Sequence, residues 1–199
     1  MKKLLLCLFV CFFSVLGVAH ADEDSGINIC SPTMPNPFMG MYENQFGFGL
    51  GQGFDQGWLI PPPALPVPFY ILSFQYSQPT TFFRVPARRS INVSTTVGFG
   101  EKYGWEWDQY TVPMAYLTED IAIFRIHRFY GGVGAGVGLQ AKQNKRLGAK
   151  LIFQLKFSFG YNLNRQWAIE AFIQHFSNAN TADENNSYAF YGLGATYNF

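Results

Sequence analysis

Residues Ile169 to Ala179 read Ile-Glu-Ala-Phe-Ile-Gln-His-Phe-Ser-Asn-Ala, which sets a histidine two positions before a serine in an alternating segment. In a β-strand such residues share a face, roughly 6.6 Å apart along the chain. An imidazole covers most of that gap, so His175 can act as general base to a nucleophilic Ser177 hydroxyl, two of the three groups of a hydrolase triad. Their face runs Ile169, Ala171, Ile173 before it turns polar, whereas the opposite face mixes Glu170, Gln174 and Asn178 with two phenylalanines. A His-x-Ser pair also arises by chance, and polar residues near a strand end simply meet lipid headgroups. Polar groups on an apolar face are costly in hydrocarbon and cheaper at its edge, which suits chemistry on a lipid at a membrane surface.

The elements that must carry this pair are strands of a membrane barrel. Aromatic residues are 18% of the chain, charged residues only 14%, and there are 20 glycines. This composition leaves an aromatic-rich soluble β-protein or an outer-membrane barrel, and periodicity separates them. Leu151, Phe153, Leu155, Phe157, Phe159 and Tyr161 alternate with Lys150, Gln154, Lys156, Ser158, Gly160 and Asn162, with Ile152 the one break. The last segment repeats the pattern, with Ala189, Tyr191, Leu193, Ala195, Tyr197 and Phe199 facing outward. An apolar exterior, a polar lumen and a closing aromatic are the marks of an outer-membrane strand. The fold class is therefore all-β, an eight-stranded antiparallel transmembrane barrel with an irregular N-terminal extension, placed in the cell outer membrane.

The amino terminus agrees with export. Lys2 and Lys3 precede an apolar run, Leu4 to Val18, and Ala19-His20-Ala21 supplies small residues for cleavage, so residues 1–21 read as a signal peptide. Removing it takes Cys7 and Cys11 and leaves Cys30 alone, which excludes an intrachain disulfide framework. Twelve basic residues then stand against thirteen acidic ones, so bulk charge gives no argument for nucleic acid. Residues 22–66, with Pro32, Pro35, Pro37, the run Phe46-Gly47-Phe48-Gly49 and Pro61-Pro62-Pro63, read as irregular chain: a periplasmic extension, a tether or a segment tucked into the barrel mouth.

Residues 67–199 then form the barrel, with strands near residues 67–77, 90–100, 103–112, 119–126, 129–141, 150–161, 165–177 and 187–199. With both barrel termini periplasmic, the odd strands run outward and the outer connections are 78–89, 113–118, 142–149 and 178–186. Arg84, Arg88 and Arg89 would fall in the first outer loop, and Lys142, Lys145, Arg146 and Lys150 in or beside the third. The glycine-rich run Gly131 to Gly138 does not match a nucleotide loop; its even-numbered glycines suit a strand with a crowded lumen face. His127, between Arg125 and Arg128, reads as an interfacial residue, and no cluster has metal-ligand spacing.

The stretch His175-Phe176-Ser177-Asn178-Ala179 resembles the His-x-Ser-Asn-Ala signature of the lipid A 3-O-deacylases, the PagL type, and the strands around Phe153–Asn162 and Gly192–Phe199 are similar to that family's last strands. The resemblance covers about Gly131 to Phe199. It implies an outer-membrane esterase that removes the 3-O-linked 3-hydroxyacyl chain from lipid A, with Ser177 as nucleophile, His175 as base and then acid, and Asn178 in the oxyanion hole. The third member would be a glutamate, best matched by Glu184, with Asp183 as the alternative. No cofactor or metal is implied. The implied partners are lipid A, the outer-membrane lipids and, as one assembly open to such a barrel, a second copy in a homodimer. The loop cations would meet lipid A phosphates, and Leu151, Phe153, Leu155 and Phe157 would line an acyl groove. Two other classes stand beside this one: a non-catalytic structural or adhesive barrel, and an acyltransferase with its catalytic groups elsewhere.

Overall fold

A computed structural model of the chain describes residues 28–29, 35–53, 69–98, 111–143, 147–183 and 187–199. The proposed signal peptide, Cys30 and most of the segment expected as a strand at 103–112 lie outside the described residues. A two-residue strand, β1 (Asn28–Ile29), is followed by β2 (Gln45–Gly53), β3 (Phe69–Phe82), β4 (Val85–Gly98), β5 (Val112–Ile126), β6 (Phe129–Gln140), β7 (Leu151–Asn162), β8 (Trp167–Ser177) and β9 (Tyr188–Asn198). All neighbours pair antiparallel in the order β5-β4-β3-β2-β9-β8-β7-β6, and β5 pairs again with β6, so β2 to β9 close into an eight-stranded barrel. β1 adds to the free side of β5 at Phe124 and Arg125, next to Ile121, where the β4 pairing ends.

Following cross-strand partners from Trp167 leads through Tyr197, Phe46, Tyr76, Ile91, Leu117, Val137 and Phe153 to Ser177. The circuit thus returns to β8 ten residues further on, a stagger that corresponds to a strand tilt of about 40° in a barrel of this size. Outward residues alternate with buried ones along every wall, as in β8, where Trp167, Ile169, Ala171 and Ile173 are exposed and Ala168, Glu170, Phe172 and Gln174 are buried.

The count of eight strands stands, but their identity at the N-terminal side does not. Gln45–Gly53 was expected to be irregular chain and is instead a barrel strand. Phe46, Phe48 and Leu50 face out, while Gly47, Gly49, Gly51 and Gly53 face a lumen already filled by Gln75, Ser73, Ile71, Phe69 and Phe172. A Cβ at Gly53 would lie 2.6 Å from the Phe69 ring. The glycines therefore answer crowding, not flexibility. In turn, the segment expected as a strand at 119–126 is the end of a longer one, β5, which begins at Val112 and whose alternation is of size and depth rather than polarity.

Adding a strand in front inverts the direction of the next two, β3 and β4, and the direction expected returns from β5 onward. The hairpin Phe82–Val85 turns through Phe83 and Arg84, both at positive φ (47° and 69°), as a two-residue type I′ connection requires. It shares one end of the barrel with the Ile126–Phe129 turn, the 163–166 turn and Phe199. Short turns mark the periplasmic end. Residues 78–89 are therefore not an outer loop, and 113–118 lie inside β5. Arg84 sits in the periplasmic hairpin, Arg88 inside the lumen, and Arg89 on the outer wall, paired with Glu119 at 2.9 Å. The connections 141–150 and 178–187 are at the opposite, outer end, as expected.

The lumen is packed in layers. At the periplasmic mouth a turn at Asn36–Gly40 tucks Phe38 and Met39 inward, fully buried. Above it Arg88 grips Glu170 through two hydrogen bonds of 2.6 and 2.8 Å and Asp120 at 3.0 Å. Lys156 reaches Asp120 at 3.3 Å, the Tyr130 hydroxyl donates to Glu170 at 2.7 Å, and the Phe38 ring lies 4.5 Å from the Arg88 guanidinium carbon. Two cations and two carboxylates balance. The outer end is apolar, filled by Phe69, Tyr116, Phe176, Tyr188, Phe190 and Leu147.

Removing one partner of a buried network strands the other charges. We expect Arg88→Met to destabilise the barrel by about 3–5 kcal/mol. The double variant Arg88→Met/Glu170→Met leaves Asp120 and Lys156 balanced and should recover most of that loss. Denaturant midpoints in detergent micelles test both; equal losses in the two variants would refute charge balance as the cause.

Candidate active site

β8 carries both residues of the candidate pair. Its inward positions hold the structural groups Glu170, Gln174 and Phe176, so parity alone places His175 and Ser177 together on the outer wall, both half-buried. His175 lies opposite Leu155 on β7 and Ala189 on β9, and Ser177 lies opposite Phe153. The β8–β9 pairing ends at Phe176 and Tyr188, so Ser177 is the first residue beyond it on that side. Of the two residues opposite His175, Ala189 is the smaller. It is buried directly across from the histidine, and sequence patterning marks it only as one more outward residue.

Immediately after Ser177 the chain leaves the sheet. Asn178 is fully buried, and its Oδ1 accepts the Asn180 backbone N–H at 2.8 Å. The Asn178 carbonyl accepts from the Thr181 N–H at 3.0 Å and the Thr181 hydroxyl at 2.8 Å. Ala179 and Asn180 take positive φ, 52° and 63°. Ala179 holds that left-handed conformation at a cost of about 1–2 kcal/mol, and the Asn178 turn stabilises it. The Asn178 amide group also donates to the Leu147 carbonyl in the neighbouring outer loop.

Of the expected site residues, the structure therefore brings His175 and Ser177 to one face and sends the Asn178 side chain to the other, into the barrel mouth. Asp183 is exposed in the outer loop, whereas Glu184 lies outside the described residues, as do Lys145 and Arg146. Lys150 is exposed just before β7, and Lys142 is half-buried just after β6. Below the pair, toward the hydrocarbon, Phe157, Ala171, Ile173, Tyr191 and Leu193 line an apolar outer groove. Among the described residues, no group of three His, Cys, Asp or Glu side chains is arranged to hold a metal.

Residues 70–198 match the sequence profile of the family described as lipid A 3-O-deacylase (PagL). The chain belongs to that family. The match spans more than half of the chain and contains every strand from β3 to β9, the His175–Ser177 pair included. Among solved structures, the outer membrane enzyme PagL aligns at a TM-score of 0.53 and 14% identity, covering 78% of this chain and 99% of that one. Neisserial surface protein A aligns at 0.56 and 7%, covering 79% and 97%. A de novo designed transmembrane β-barrel aligns at 0.53 and 6%, covering 84% and 98%. At these identities the likenesses establish the fold. No curated protein matches the chain. The protein is an outer-membrane β-barrel of the lipid A 3-O-deacylase family, a family of hydrolases.

The placement of Ala189 directly across from His175 gives a test of the geometry. Ala189→Trp should push the imidazole off line with Ser177 and lower turnover by about 100-fold, the typical cost of a 1 Å misplacement. The barrel itself, followed by the heat-dependent shift of its band in gel electrophoresis, should stay folded. An active Ala189→Trp protein would show that Ala189 does not set the histidine.

Proposed function

We propose that this protein hydrolyses the 3-O-linked acyl ester of lipid A from the outer leaflet. The single observation that carries the reading is that His175 and Ser177 share the lipid-facing side of β8 at its outer end, within the stretch that matches the family. Ser177 Oγ attacks the ester carbonyl carbon while His175 takes its proton. The tetrahedral intermediate collapses, the C–O bond to the sugar breaks, and His175 returns the proton to the departing hydroxyl. Water, deprotonated by the same histidine, then cleaves the acyl-serine and releases a 3-hydroxy fatty acid.

The oxyanion is assigned to the backbone N–H of Asn178, since its side chain points inward. Such a donor typically lowers the barrier by about 3–4 kcal/mol. Glu184 is the proposed orienting acid for His175, with Asp183 as the other candidate. The apolar groove below the pair would receive the acyl chain, and Phe157, Ile173 and Tyr191 flank it where the chain leaves the ester. The reaction needs no cofactor. Whether the barrel works singly or as a homodimer does not alter the step, because both catalytic groups come from one strand.

Lipid A from cells producing the protein should lose the mass of one 3-hydroxyacyl chain, and Ser177→Ala should leave lipid A intact at equal barrel levels. Unchanged lipid A from both, in membranes and in detergent alike, would make this a structural or adhesive barrel. Glu184→Gln should lower turnover by about tenfold or more, well beyond any effect of Asp183→Asn; the reverse order would reassign the acid.

A further inference from the structure

Two outer loops flank the proposed catalytic strand and its neighbour, and one side chain ties them together. The loop between β6 and β7 reads Ala141-Lys-Gln-Asn-Lys-Arg-Leu-Gly-Ala-Lys150, four cations and no acid. Its described part does not stand out into solvent. Leu147 turns down into the barrel mouth, fully buried in the apolar cluster with Phe176, Tyr188 and Phe190. The Gln143 side chain donates to the Gly148 carbonyl, the Gln140 amide to the Ala149 carbonyl, and the Gln140 N–H to the Lys150 carbonyl at 2.9 Å. Across the mouth, Asn178 Nδ2 donates to the Leu147 carbonyl while its Oδ1 holds the turn at Asn180. The residue next to the proposed nucleophile therefore bonds with one end of its amide to its own loop and with the other to the cationic loop.

We infer that the Asn178 side chain is a positioning residue: it fixes the 147–150 end of the cationic loop at a set height beside Ser177, so that a phosphorylated lipid is held with its ester at the serine. The inference rests on the esterase reading above and assigns the side chain a role separate from the backbone donor. The geometry fits this use. Phe153 lies opposite Ser177, and Lys150 is three residues nearer the outside, about 10 Å along the strand. The exposed Lys150 thus stands on the headgroup side of the serine, where a phosphate of the same lipid would lie.

Asn178→Asp isolates the latch. It keeps the Oδ1 acceptor for the Asn180 turn and the backbone N–H, and it replaces the donor to Leu147 by a carboxylate oxygen that a carbonyl repels. In folded barrels, tryptic cleavage at Lys142, Lys145, Arg146 and Lys150 should quicken by about tenfold, the loss of one buried hydrogen bond. Relative to the parent, kcat/KM for phosphorylated lipid A should fall about tenfold further than kcat/KM for a phosphate-free 3-hydroxyacyl ester. Asn178→Ala, which also loses the turn, should show the same loop opening. A kcat lower by about 100-fold or more with the loop still protected would make the side chain an oxyanion donor and overturn the inference. So would unchanged proteolysis and kinetics. If the parent protein cleaves no lipid at all, the esterase reading fails, while faster proteolysis of the variant would still establish the latch.

Discussion

Hydrocarbon offers no partner for a backbone N–H or C=O, so a sheet that crosses a membrane must close on itself. Here closure depends on β2, which zips to β3 on one side and to the C-terminal β9 on the other. It pairs with β9 at nine consecutive positions, Gln45 to Gly53 against Asn198 to Phe190. The remaining features follow from that seam: the ten-residue stagger, the parity of each wall, and the end of the barrel at which each loop emerges. Because β2 runs outward from the periplasm, β8 also runs outward to its end at Ser177.

Closure also creates a narrow lumen that must be filled. The chain meets this with side chains of both kinds, sorted by depth. Arg88, Glu170, Asp120 and Lys156 form a balanced network toward the periplasm, covered by Phe38, and the aromatic cluster with Leu147 closes the outer mouth. Where a bulky group occupies the centre, the wall opposite is glycine. A Cβ at Gly160 would fall 2.0 Å from the Tyr130 ring, and one at Gly134 would meet the Asp120 carboxylate. The result is a rigid plug, and a rigid plug lets the outward face of β8 hold a fixed geometry.

How far the sequence could be read follows from the same physics. The strands from β6 to β9 alternate apolar and polar side chains cleanly, so the barrel, the face shared by His175 and Ser177, and the inward turn of Asn178 were all legible. β2 was not, because glycine on a crowded lumen face has the composition of a linker; only the outward Phe46, Phe48 and Leu50 betray the period. β5 was misread because its lumen face, Met114, Tyr116, Thr118 and Asp120, mixes polarity that parity alone reconciles. That one missing strand carried Arg84, Arg88 and Arg89 to the wrong end of the barrel, and with them three cations that had been expected near lipid A phosphates. The contact of Asn178 with Leu147 spans 31 positions and has no periodic trace at all.

The height of the site can be argued from the register alone. Trp167 lies against Tyr197 in a tilted pair, their ring centroids 4.9 Å apart, and with Phe199 and Tyr161 they form the periplasmic aromatic girdle. Ten residues along β8 separate Trp167 from Ser177. At about 3.3 Å per residue and a tilt of about 40°, that is about 25 Å along the membrane normal. An outer-membrane barrel carries an apolar band about 25 Å tall. Anchoring the tryptophan at one interface therefore sets the serine at the other. Ile169, Ala171 and Ile173 cross the hydrocarbon, His175 lies at its upper edge, and the polar pair emerges at the depth of an ester linkage. A strand two residues shorter would submerge Ser177 in hydrocarbon, and one two residues longer would lift it past the acyl chains. On the proposed esterase reading, the length of β8 itself sets which bond of a lipid the pair can meet.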